Sequence, residues 1–246
     1  LVVCSAVLAR REGRGWDAML IAASPVVLAT GLINWDLFAL GLTALAVVAF
    51  ESERYLEAAL VAGLAASAST MPLVFAVAMM AWCLLQAKWR QLALFAGAFG
   101  VTVVLVHLPQ ALTSFTSVYS YYHGVINTQI SYGSIWYLLL DAGAPLREFG
   151  ALTFVVSLLL IGVWLARLYT SGRAPKLGQL VATMMLIMVL LAPSYPPQTA
   201  LWVLFALFLA RPADGVMWAF SALQLLHTAA IWGRLAGHFE LSLIHI

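Results

Sequence analysis

Long apolar runs separated by short polar or charged junctions repeat along the whole chain. The pattern predicts helices over Trp16–Ile33, with Pro25 bending the first, then Leu37–Phe50, Ala58–Thr70, Pro72–Leu85 and Leu92–Leu108. It predicts four more over Phe149–Leu168, Leu177–Ala192, Thr199–Ala210 and Val216–Trp232. Between Leu108 and Phe149 lies a long, less apolar stretch, 109–148, expected to be a larger loop region. The expectation is an all-α, polytopic transmembrane bundle of about nine crossings, built as one domain over 1–246 and containing several short, broken helices.

Composition rules out a soluble alternative. Hydrophobic residues make up 64% and charged residues 9% of the 246 positions, with a mean hydropathy of +0.99. A globular domain carries about 25% charged residues and has no interior large enough to hide so much apolar surface. Leu1–Ala9 is too short for a span of about 20 residues, and the chain starts without Met, so we expect the chain to be the C-terminal part of a longer protein. Leu241–Ile246 continues no helical pattern and reads as a non-native tail.

The placement of charge tests the helix count. With Arg10–Arg14 on the cytoplasmic side, strict alternation puts Arg54, Lys88, Arg90, Arg167, Arg173, Lys176 and Arg211 there too. Only Arg147 and Arg234 fall on the outer face. This is the positive-inside bias, and one miscounted helix would scramble it. The chain is therefore expected in a bacterial plasma membrane, surrounded by lipid. No basic patch with interleaved aromatic residues suggests nucleic acid.

The same alternation sends Asn34-Trp35-Asp36, Thr70-Met71-Pro72, the 109–148 stretch and Pro193–Gln198 to the outer face. Several flanking runs are short for a span, so these junctions are expected to dip into the bilayer and line an outward-facing pocket. Irregular backbone is tolerated there only where it is buried or lines a cavity. An unpaired carboxylate at membrane depth costs roughly 2.5–3.5 kcal/mol. Asp36 thus reads either as an N-cap for the helix beginning at Leu37 or as a ligand for a sugar hydroxyl. Trp35 reads as a sugar-stacking ring or an interfacial anchor. The aromatic, amide and hydroxyl groups from Tyr119 to Tyr137 suit carbohydrate, or form an aromatic belt. Gln198 follows two prolines that break the helix, and its amide lies close to lipid.

Other chemistries find no support. Cys4 and Cys83 lie inside apolar runs and read as core residues. His107 and His123 fall on one face without a metal-ligand spacing, so no metal or cofactor is predicted. There is no phosphate-binding loop, dinucleotide fingerprint or nucleophile elbow.

Three stretches together resemble the GT-C polytopic glycosyltransferases, in particular the actinobacterial family 87 type. Pro25 to Ala39, through Asn34-Trp35-Asp36, is similar to the family's proline-to-Asn-Trp-Asp segment. Tyr132-Gly133-Ser134-Ile135-Trp136-Tyr137 resembles its Gly-Ser-Leu-Trp loop, and Tyr195-Pro196-Pro197-Gln198 through Trp202 resembles its Tyr-Ser-Pro-Gln helix start. The resemblance implies transfer of a hexose, mannose first among them, from a polyprenyl-phosphate sugar to a glycolipid or glycan acceptor on the extracytoplasmic face. It implies a substrate pocket of Asn34, Trp35, Asp36, Tyr132, Ser134, Trp136, Tyr195 and Gln198. It puts the general base in an outer loop upstream of Leu1.

The chain departs from the family where cations are common. Ala68–Pro72, Asn127–Gln129 and Pro193-Ser194 stand where the family often has Lys, Arg and Lys, the natural partners of a lipid phosphate. Arg147 and Arg234 are the outer-face cations left for that role. Broken helices with polar junctions are also a feature of transporters, so a flippase for a lipid-linked or small hydrophobic solute is the alternative reading. A non-catalytic membrane scaffold is a third.

Overall fold

A computed structural model describes residues 1–146 and 149–237. Arg147 and the 241–246 tail lie outside the described residues. All regular structure among them is helical: α1 Val2–Arg11, α2 Ala18–Ala22, α3 Pro25–Thr30, α4 Asp36–Glu51, α5 Tyr55–Ala68, α6 Pro72–Leu85, α7 Trp89–Ile126, α8 Ile135–Asp141, α9 Gly150–Thr170, α10 Leu177–Leu191, α11 Thr199–Ala210 and α12 Gly215–Leu235. Three of these, α7, α9 and α12, are long and apolar enough to cross a membrane.

The helices run back and forth between two ends. At one end the charged loops meet: Arg11 bonds Ser52 Oγ at 2.8 Å, Lys176 pairs with Glu12 at 3.3 Å, and Arg14 donates to the Arg211 carbonyl at 2.7 Å. Asp17 accepts from Arg14 and from the Ala213 amide, both at 3.0 Å, so one half-buried arginine ties the start of the chain to the α11–α12 turn. Among the described residues, the opposite end carries few charges. There Ser69 meets Asp36, and Trp136 meets the end of α10. Arg11, Arg14, Lys176 and Arg211, four of the cations that alternation sends to one side, therefore meet at one end of the bundle.

α4, α6, α10 and α11 supply the centre. α11 is apolar on all sides and accordingly buried on all sides, with Trp202, Phe205 and Phe208 inaccessible. Phe75 of α6 lies 5.8 Å from Phe205 and 6.0 Å from Trp202. α5 packs through small residues. A Cβ on Gly63 would come within 2.6 Å of Thr102 Cβ, so glycine permits the close approach of α5 and α7. Cys83 is buried, Cys4 is half-buried and packs against the same core, and both are free thiols.

Two expectations fail here. The first run does not bend at Pro25 but breaks before it. Ser24 adopts extended backbone and caps a new helix, accepting from the Val26 amide at 3.2 Å, with Pro25 at the first helical position, where its missing N–H costs nothing. The 109–148 stretch is not mainly loop. α7 continues through Pro109 to Thr113, leaves helical geometry at Ser114 (φ −155°, ψ 84°) and continues as a second arm to Ile126. The two arms fold together, because the Tyr122 hydroxyl lies 2.9 Å from His107 Nε2. Fifteen residues of straight helix would hold them about 22 Å apart. The Ser, Thr, Tyr and His residues that make this stretch look loop-like are compatible with helix, and Thr113 and His107 bond carbonyls of their own turns.

Candidate functional site

At the weakly charged end, the loop before α8 and the loop before α11 are joined main chain to main chain. The Ser131 amide donates to the Pro193 carbonyl at 3.0 Å, and the Tyr195 amide to the Tyr132 carbonyl at 3.2 Å. Between these bonds sits Gly133, with φ +81°. A Cβ there would run into the Tyr195 carbonyl oxygen and lie 2.7 Å from His227 Nε2, so both conformation and space require glycine.

Ser134 begins α8. Its buried hydroxyl accepts from the Tyr137 amide at 3.1 Å and donates to the Ser131 carbonyl at 3.0 Å, which locks the loop to the helix. Trp136 points its indole N–H at the Leu191 carbonyl, 2.9 Å away, and packs on Phe149. That bond satisfies one of the orphan carbonyls at the C-terminus of α10. Tyr132 and Tyr137 lie with ring centroids 4.9 Å apart, and the Arg234 guanidinium sits 5.5 and 5.6 Å from them. Arg234 makes no salt bridge among the described residues, so its charge is held by π-faces and stays available to an anion.

Tyr195 donates from its hydroxyl to Gln224 Oε1 at 3.1 Å, and its ring lies 5.3 Å from His227. Burial pushes the Tyr195 phenol far above its ordinary value, which keeps it a neutral donor. Burial raises Tyr137 as well, against the nearby Arg234 charge, which lowers it. Both ring nitrogens of His227 are buried without a hydrogen-bond partner among the described residues. Gln198, just before α11, makes no side-chain hydrogen bond among the described residues and does not cap its helix. Among the described residues the cluster thus offers a cation without an ion pair, tilted aromatic faces and uncommitted amide and imidazole groups, a set suited to a ligand with an anionic group and hydroxyls.

A family model matches residues 1–193, described as Glycosyltransferase family 87. The chain belongs to glycosyltransferase family 87. No curated protein and no solved structure matches it. In this family 87 chain the matched residues hold the Tyr132–Tyr137 loop, whereas Tyr195, Gln198, Gln224, His227 and Arg234 lie beyond the match.

The sequence-predicted residues divide into two groups. Tyr132, Ser134, Trp136 and Tyr195 are brought together, and Gln198 follows three residues after Tyr195. Asn34, Trp35 and Asp36 form a separate group, with no hydrogen bond or ring contact to the first among the described residues. Asp36 does not cap α4. Its Oδ2 accepts from Asn34 Nδ2 and its Oδ1 from Ser69, both at 2.9 Å, while the Asn34 side chain accepts from the Asp36 amide at 2.8 Å. Trp35 is 80% exposed, in contrast to Trp202, which is fully buried and belongs to the core. Tyr119, Tyr121, Tyr122 and His123 sit on the second arm of α7 and pack on one another. Sequence reading missed Gln224 and His227 because α12 looks like a plain span. Spacing offered a faint signal, since Gln224, His227 and Arg234 recur at helical intervals along one face.

Proposed function

We propose that this family 87 protein transfers a hexose, mannose in the first instance, from a polyprenyl-phosphate sugar to a lipid or glycan acceptor. The site works at the extracytoplasmic face of a bacterial plasma membrane, and the shorter helices complete about nine crossings with the three long ones. The observation that carries this reading is Arg234 lying against Tyr132 and Tyr137, beside the joined loops, without an ion pair among the described residues.

In this reading Arg234 holds the donor phosphate and the two tyrosine rings bind the CH face of the sugar. A base removes the proton from the acceptor hydroxyl as its oxygen attacks the anomeric carbon. The bond to the phosphate oxygen breaks, and its electron pair leaves with the polyprenyl phosphate, whose developing charge Arg234 stabilises. Gln198 orients hydroxyls. Asn34 and Asp36, already engaged with each other and Ser69, shape the pocket rim.

The test is transfer of radiolabel from polyprenyl-phosphomannose in membranes holding the full-length protein at matched expression, with wild type against Arg234→Gln and Gln198→Ala. Label in a glycolipid or glycan product, reduced in both variants, supports the reading. No transfer from mannose or glucose donors by folded protein would sink it and favour a transporter or scaffold.

A further inference from the structure

A cavity of about 510 Å³ opens at the charged end and shares no residue with the cluster just described. The ends of α1, α4 and α6 and the segment leading into α10 form its walls, with Arg11, Glu12, Glu51, Trp82 and Lys176 among the lining residues. Most charges here are satisfied within the chain. Lys176 pairs with Glu12, and Arg14 is spent on Asp17 and two backbone carbonyls. Two are not. Arg11 bonds only neutral groups, the Ser52 hydroxyl and, at 3.5 Å, the Val48 carbonyl. Glu51 has no hydrogen bond or ion pair among the described residues.

A guanidinium and a carboxylate that line one cavity without pairing with each other leave two complementary halves open. The Glu51 carboxylate is left without a bonded donor among the described residues. We propose that this cavity binds a zwitterionic amine–phosphate, the phosphoethanolamine group, with the phosphate on Arg11 and the primary ammonium on Glu51. A planar guanidinium suits a phosphate's paired oxygens, and a carboxylate suits N–H donors that a quaternary ammonium lacks. The cavity opens at the end where the charged loops meet, so a phospholipid headgroup is the first source of this group, and a soluble phosphoethanolamine the second.

The experiment is native mass spectrometry of the full chain with ethanolamine, choline and glycerol phospholipids of identical acyl chains. Thermal shift with soluble phosphoethanolamine, inorganic phosphate or ethanolamine runs in parallel. The ethanolamine lipid is expected to be retained about tenfold over the other two, the size of one charge-assisted hydrogen bond. Glu51→Gln is expected to erase that preference without lowering the melting temperature of the ligand-free protein, because Glu51 has no partner to lose. Arg11→Gln is expected to weaken retention of all three. Equal retention with a Glu51-dependent shift from soluble phosphoethanolamine assigns the same chemistry to the soluble source. Equal retention with no such shift, or a preference that survives Glu51→Gln, overturns the proposal.

Discussion

Ser69 Oγ donates a 2.9 Å hydrogen bond to Asp36 Oδ1 and so ties the end of α5 to the start of α4. With Asn34 on the other oxygen, the carboxylate has a donor on each side. Ser69→Ala is expected to cost roughly 0.5–1.5 kcal/mol. Asp36→Ala should cost more, because Asn34 and Ser69 both lose their acceptor. Thermal unfolding in detergent, ranked against wild type, checks both values. An Asp36→Ala variant as stable as Ser69→Ala would show that the Asn34 contact contributes nothing.

Gly133→Ala should damage fold and function together. The left-handed backbone and the collision with the Tyr195 carbonyl add strain of roughly 1–3 kcal/mol. The joined loops must then part, and glycosyl transfer should fall at least about tenfold at matched protein levels. Hydrogen exchange at the Ser131 and Tyr195 amides reports the parting directly.

Stability at high pH should depend on Tyr195. Its phenol is raised in the folded chain by burial, so the neutral form favours folding. That contribution is complete below the unfolded value near pH 10 and is lost progressively as pH rises above it. A melting-temperature series from pH 8 to 11 should fall at its upper end, and Tyr195→Phe should flatten the fall. The same substitution leaves Gln224 Oε1 without its donor, at a cost of about 1 kcal/mol near neutral pH.

Arg234→Lys and Arg234→Gln separate charge from shape. Lysine keeps the charge but not the flat surface that lies against Tyr132 and Tyr137. Donor KM should rise roughly tenfold with lysine and further with glutamine, while thermal stability changes little. Steady-state kinetics over a range of donor concentrations distinguishes this from a uniform loss of folded enzyme.

Arg14→Gln is a stability variant without a place in the transfer site. The side chain is 15% exposed and bonds Asp17 and the carbonyls of Phe208 and Arg211. Its loss leaves Asp17 with the Ala213 amide but no cation, frees the two carbonyls, and should cost roughly 2–3 kcal/mol. Chemical denaturation with and without the variant reads this out.

The sequence revealed what charge and periodicity encode. Arg11, Arg14, Lys88, Lys176 and Arg211 marked one end of the bundle because lysine and arginine are expensive elsewhere in an apolar protein. Most helix bounds followed from runs that stop at Gly, Pro or charge. Ser114 gave no such signal. The reversal there has neither glycine nor proline, and Pro109, five residues earlier, stays inside the helix. The site was legible by half. Tyr132, Ser134, Trp136 and Tyr195 lie in recognisable motifs, but their partners Gln224, His227 and Arg234 come from a helix whose polar residues look incidental. The Asp36–Ser69 bond joins residues 33 positions apart, beyond any local pattern.

The two main-chain bonds that join the loops constrain how such a site can diverge. Neither the Ser131–Pro193 nor the Tyr132–Tyr195 bond uses a side chain, so substitution at most of these positions leaves the joint standing. Only Gly133 forbids a side chain by geometry. A lineage can therefore exchange the surrounding rings and amides while inheriting the loop architecture unchanged.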